Sequence, residues 1–235
     1  MIIIRKANER GKTKIDWLNS SHTFSFGEYY DPKFMGFGNL RVINEDIVQP
    51  AQGFGTHPHR NMEIISYVVE GSLEHRDSMG TGSVIKPGEI QRMSAGSGVT
   101  HSEFNHSKDK LVHFLQIWIF PNQDNLQPSY EQKNIPQIKD KFILIGAKNP
   151  TENAVTIHQD VEVYAAYLSA HKTLTYELKA THHAWLQLIK GKIKVNDQLL
   201  SAGDGAAISS EKTVEIECIE DAELLFFDLD ESGAH

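Results

Sequence analysis

The chain has one cysteine in 235 residues, Cys218. It has no partner for an internal disulfide, which fits a reducing, cytoplasmic compartment. No stretch approaches the roughly 18 consecutive apolar residues of a membrane-crossing helix, so no membrane association is expected. The start, Met1-Ile2-Ile3-Ile4-Arg5-Lys6, turns charged after three isoleucines and lacks the apolar region of a secretory signal. Basic residues are outnumbered, 23 against 31, for a net charge of −8, and no basic stripe appears. Direct binding to nucleic acid through phosphates is therefore not expected. Helical periodicity is scarce too, and a monomer is expected.

Strand signals are what the chain has instead. Ile64–Val69, Phe114–Phe120, Phe142–Ile145, Val163–Leu168 and Glu223–Phe227 are short apolar or alternating runs rich in β-branched and aromatic residues. Turn residues separate them, at Glu70-Gly71, Pro87-Gly88, Lys190-Gly191 and Ala202-Gly203-Asp204-Gly205 among others. Strands and turns at this frequency predict an all-β chain built as antiparallel sandwiches or barrels. Val112 to Phe120 is apolar on both faces, as a central strand would be between a barrel interior and a second layer.

The polar, proline-containing middle of the chain predicts a connection. The expected division is residues 1–122, a linker region over 123–150, and residues 151–235. A loose internal repeat supports two units. Glu70-Gly71 followed by Lys86-Pro87-Gly88-Glu89 is echoed by Lys190-Gly191 followed by Ser201-Ala202-Gly203-Asp204.

Histidine is plentiful, at twelve, and two short words stand out: His57-Pro58-His59 and His101-Ser102-Glu103. Each places two metal-competent side chains at i and i+2. On a strand these share a face, roughly 6.5–7 Å apart at the Cα atoms. Three imidazoles and a carboxylate suit a divalent first-row transition metal. Four protein ligands leave positions open on an ion that accepts five or six, as a catalytic site requires. The predicted metal ligands are His57, His59, His101 and Glu103, with Glu103 doubling as the catalytic base.

Carried onto the second half, the repeat places Glu177, Lys179, Ile216 and Cys218 at the ligand positions. His182 and His183 are adjacent and would face opposite sides of a strand. His158-Gln159-Asp160 has ligand spacing but no second pair to meet it. One metal site, in the first half, is expected. Glu63 reads as a partner of the site or a structural acid; His75, His106 and His113 read as structural, and Cys218 as a small buried hydrophobe. Phe24, Phe26, Tyr29, Tyr30, Phe34 and Phe37 read as core packing, with a cover over the cavity mouth as the alternative.

Gly53-Phe54-Gly55-Thr56-His57-Pro58-His59-Arg60-Asn61-Met62-Glu63, followed by Tyr67-Val68-Val69-Glu70-Gly71, resembles the first motif of a cupin. Pro87-Gly88 and then Gln91-Arg92-Met93-Ser94-Ala95-Gly96 through His101-Ser102-Glu103-Phe104-Asn105 resembles the second. The wording is similar to the pirin branch of that superfamily, and Asn61 departs from it where a glycine is usual. The resemblance implies a bicupin of two jelly-roll domains, with a metal in the N-terminal one, held by His57, His59, His101 and Glu103, and none in the C-terminal one. It implies Fe(II), with Zn, Mn, Co, Ni or Cu as alternatives. It further implies a quercetin 2,3-dioxygenase-like enzyme that takes a small aromatic flavonol and O₂ and releases CO. The competing reading is a non-catalytic, redox-sensing iron protein that binds a partner protein. A sugar or small-acid isomerase with the same ligands is a third, since ligands alone do not fix a reaction.

Overall fold

The computed structural model describes residues 1–230, and they are almost entirely β. Strands Ser129–Asn134, Glu89–Ser94, Glu63–Glu70, Val112–Ile119, Leu40–Val48, Leu18–His22 and Gly11–Ile15 form a seven-stranded sheet in that order. A four-stranded sheet of Gly53–His59, Val99–Asn105, Leu73–Asp77 and Gly82–Ile85 completes the first unit. Its interior is apolar at one end, where Leu18, Val48, Leu73, Val112 and Phe114 pack together. The second unit is a nine-stranded sheet built around the long strands His182–Val195 and Thr213–Asp230. The chain is thus an all-β bicupin. No helix among the described residues is long and apolar enough to cross a membrane.

Val112–Ile119 is central, as its two apolar faces predicted, pairing with both Leu40–Val48 and Glu63–Glu70. Val112 and Phe114 point into the first unit. Leu115, Ile117 and Ile119 point the other way and join Trp185, Leu225, Phe227 and Leu229 of the second unit in one buried cluster. The two sheets are therefore cemented face to face by alternation along single strands.

The repeat has a structural counterpart. Gly71 and Gly191 both have φ near +80°, at 80° and 84°. A Cβ on Gly71 would lie 2.3 Å from the Leu111 carbonyl oxygen, and one on Gly191 2.2 Å from that of Asp221. Both positions need glycine for the same two reasons.

Two boundaries differ from the sequence expectation. Ile2–Arg5, at the head of the expected N-terminal domain, pairs with Gly205–Ile208 at the edge of the second sheet. Ile2 and Ile4 pack against that unit's core, which a short apolar start cannot announce. The expected linker over 123–150 also carries strands. Ser129–Asn134 pairs with Glu89–Ser94 at the edge of the first sheet, and Phe142–Ala147 belongs to the second. An edge strand of half-buried polar residues lacks the apolar alternation that reveals a strand.

Buried polar contacts join the units. Arg92, 1% exposed, donates from Nε to the Thr156 carbonyl (2.7 Å) and from a terminal nitrogen to Ser129 Oγ (2.7 Å), and pairs with Glu131. Near the first sheet's other edge, Glu45 accepts from Arg10 at 2.7 Å and from His113 at 2.9 Å. Burial alone would raise the Glu45 carboxyl, but His113 and Arg10 hold it down at about 2. A depressed folded-state value contributes stability above the ordinary carboxylate range, and that stability is lost as pH falls toward 2. Glu45→Gln is therefore expected to lose about 2–3 kcal/mol at pH 7, with the gap to the parent closing by about pH 2. Urea melts of both proteins across that pH range check it; a gap that does not depend on pH counts against the ion-pair account.

Candidate metal centre

Strands Gly53–His59 and Val99–Asn105 are antiparallel neighbours that bring His57 directly opposite His101. Strict alternation would put Phe54 and His57 on opposite faces, yet both line the same cavity. The register slips between His101↔His57 and Glu103↔Phe54, so one extra residue is absorbed near Gly55 and re-aims the strand. Gly53 permits the close approach, because a Cβ there would lie 2.2 Å from the Glu103 carbonyl oxygen. Asn61, which stands where the resemblance expected glycine, has φ +50°. Asparagine is among the residues that tolerate this left-handed region best. Its side-chain oxygen also accepts the Asn125 backbone N–H at 2.8 Å.

The three histidines converge. The ring centroids of His57, His59 and His101 lie 4.5–4.8 Å apart pairwise, and one nitrogen from each falls within 4.8 Å of the others. Their protons can be assigned from their partners. His57 Nδ1 donates to the Gly55 carbonyl (2.8 Å), which leaves Nε2 as a bare lone pair. His75 Nε2 donates to Asp77 Oδ2 (3.0 Å), so His75 Nδ1 is an acceptor for His101 Nδ1 at 3.4 Å. His101 Nε2 is then bare as well, and it faces His57 Nε2 at 3.1 Å. Two opposed lone pairs at that distance repel unless a cation lies between their directions. Burial, then the neighbouring imidazoles, lower His101 to about 2; burial, then His57, lower His59 to about 4. Both rings are neutral donors at physiological pH, as a metal site requires. The arrangement fits a divalent ion.

Glu103 is close but held differently. It is 1% exposed, accepting from Ser66 Oγ at 3.1 Å and from Gln116 Nε2 at 2.5 Å. It groups with His75 and His101 in a second set of possible ligands within 4.8 Å. Burial pushes its carboxyl up to about 7, with Asp46 adding to the rise and the Ser66 and Gln116 hydrogen bonds opposing it. His75 is wholly buried, and through Asp77 it fixes the His101 ring. Such outer partners typically contribute 10–100-fold in metal affinity. His75→Ala is therefore expected to weaken metal binding by about that factor, read by competition with a chromophoric chelator. Unchanged affinity would remove the orienting role.

Glu63 lies away from this cluster. Its Oε2 accepts from Ser94 Oγ (2.9 Å) and from the His158 backbone N–H (3.2 Å), joining the first unit to the second. His106 and His113 pair with Glu74 and Glu45. His182 hydrogen-bonds Asp228, while the His183 ring packs on Phe37. In the second unit Val214, Ile216 and Cys218 are packed into an apolar core, and both possible ligand sets among the described residues lie in the first unit.

A cavity of about 360 Å³ opens beside the histidines, within the size range of small-ligand pockets. Leu18, Phe26, Phe54 and Trp118 form apolar walls, with Trp118 edge-on to both His59 (5.0 Å) and Phe26 (5.3 Å). The early aromatics take different places. Phe26 lines the cavity, Phe24 and Phe37 pack on Trp185 in the inter-unit core, and Tyr30 is exposed.

Residues 4–119 match the Pirin family, and residues 144–229 match the quercetinase C-terminal cupin domain. The chain is 44% identical over 229 residues to the quercetin 2,3-dioxygenase of Escherichia coli K12, covering 97% of this chain and 99% of that one. A pirin-like protein of Caulobacter vibrioides is 38% identical over 231 residues, covering 97% and 99%. The crystal structure of the bacterial pirin YhhW from E. coli in complex with nickel(II) superposes with a TM-score of 0.94 at 43% identity, covering 98% and 99% of the two chains. The chain belongs to the pirin family.

Proposed function

We propose that this chain is a metal-dependent dioxygenase that opens a flavonol ring of the quercetin type with O₂ and releases CO. The ion, Fe(II) by preference among Fe, Zn, Mn, Co, Ni and Cu, is held by His57, His59, His101 and Glu103. The observation that carries the reading is three convergent imidazoles, two of them, His57 and His59, lining an apolar-walled cavity with the buried Glu103 carboxyl beside them. The names of the relatives support it. The cavity favours turnover over a purely regulatory role, since a signalling ion needs no room for an organic ligand.

A bound divalent ion would supply the Lewis acidity that makes a flavonol 3-hydroxyl easy to deprotonate. The rest falls to the chain. Glu103, whose burial raises its proton affinity, takes that proton. Ser66 and Gln116 hold its two oxygens in place for the transfer. Trp118, Phe26 and Phe54 hold the flat ring and exclude water, keeping the substrate anion for reaction with O₂. One flavonol and one O₂ give one depside and one CO. The test is anaerobic loading with iron, followed by O₂ uptake and CO release with quercetin. CO release no greater than that of Glu103→Ala would overturn the proposal.

A further inference from the structure

The floor of the cavity, opposite the histidines, is polar. It is made by inward-facing residues of Leu40–Val48 and Leu18–His22, where Asn44 pairs with His22 and Asp46 with Ser20. Most of this floor is satisfied internally. His22 Nδ1 donates to Asn44 Oδ1 (2.8 Å), and Thr13 Oγ1 donates to His22 Nε2 (2.8 Å). Asp46 is the exception. It is 2% exposed, and Ser20 is its hydrogen-bonding neighbour, yet its Oδ1 has no partner among the described residues. Of the buried side-chain atoms without a partner there, Asp46 Oδ1 is the one whose residue lines the cavity. Leaving a buried acceptor unpaired is unfavourable, and a ligand that supplies a donor removes the penalty.

We propose that Asp46 is the acceptor for a second hydroxyl of the aromatic ligand, one not engaged at the ion, so that the site selects polyhydroxylated rings. This rests on the flavonol reading above and specifies the substrate within it. An unpaired acceptor there gains nothing from a ring that carries only the chelating hydroxyl and carbonyl. A site built to receive a hydroxyl rejects the analogue lacking it far more strongly than an apolar pocket rejects a missing methylene.

The test separates binding from chemistry. Zinc-loaded protein is titrated under argon with quercetin and with 3-hydroxyflavone, which keeps the chelating pair and lacks every other hydroxyl. The parent is expected to prefer quercetin by about tenfold or more. Asp46→Leu is expected to bring the two affinities within about twofold, by weakening quercetin alone. Asp46→Asn keeps the shape and one neutral acceptor, and its preference should fall between the two. A preference that survives in both variants, or an equal loss for both ligands with zinc content unchanged, overturns the proposal. Iron-loaded turnover is scored separately. An Asp46-dependent preference without CO release leaves this inference standing and removes the dioxygenase reading. CO release with no preference does the reverse.

Discussion

Replacing His101 with alanine is expected to strip the ion from the protein while leaving the first barrel folded. Bound metal should fall from about one ion per chain to below a tenth of that, and flavonol turnover should fall by about 10³-fold or more. The bound is set by the outer partners: deleting one of those already costs about 10–100-fold in affinity, and His101 is proposed as a direct donor. It is also the most deeply placed of the three imidazoles, with His57 on one side and His75 on the other. Its loss breaks both the donor set and the chain through which Asp77 orients it. The fold should tolerate the change because the ring's polar contacts are to other histidines. With His101 gone, His75 keeps its bond to Asp77 and His57 keeps its bond to Gly55. Elemental analysis of protein purified without added metal, with thermal melts of the metal-free forms, gives the answer. Stoichiometric metal in a folded His101→Ala protein would rule out this centre.

Much of that centre could be read from residue order. The His-x-His and His-x-Glu words imply shared faces on strands, and His57 and His101 duly meet across one ladder. His75-Arg76-Asp77 has the same spacing and also places its two ends together, so the pattern that singled out the three clustered histidines could have found the partner beside them. Phe54 was hidden because its inward aim depends on a register slip, and alternation cannot foresee a slip. The hold of Ser66 and Gln116 on Glu103 was hidden as well, since both come from strands across the barrel whose pairing is non-local. Asn44 and Asp46 left a trace: two polar residues on a face of Leu40–Val48 whose other residues, Leu40, Val42 and Val48, are apolar. Ile2–Arg5 left none of its destination, because a short edge strand carries no mark of the sheet it will join.

Trp185→Ala is expected to be the most destabilising single change in the chain, at about 3–5 kcal/mol. Trp185 is 1% exposed in the layer where the two units meet. It packs on Phe24 at 4.8 Å and on Phe37 at 5.7 Å between ring centroids. Its far side is closed by Gly205, where a Cβ would come within 2.5 Å of the indole. Backbone that close on one side cannot collapse into the space left by the ring, so the cavity term is retained. The indole N–H has no hydrogen-bond partner among the described residues. Trp185→Phe removes that unpaired donor along with part of the ring, and it should cost less than half as much as the alanine change. The effect should also reach the site. Phe24 and Phe37 flank Phe26 in sequence, and Phe26 lines the metal cavity. Loosening their anchor should raise the KM for a flavonol more than it lowers kcat, because positioning suffers while the ligands stay in place. Urea melts of the two variants, read beside their KM values, decide the point. Equal destabilisation by alanine and phenylalanine would mean that the indole's shape, and not its size, holds the two barrels together.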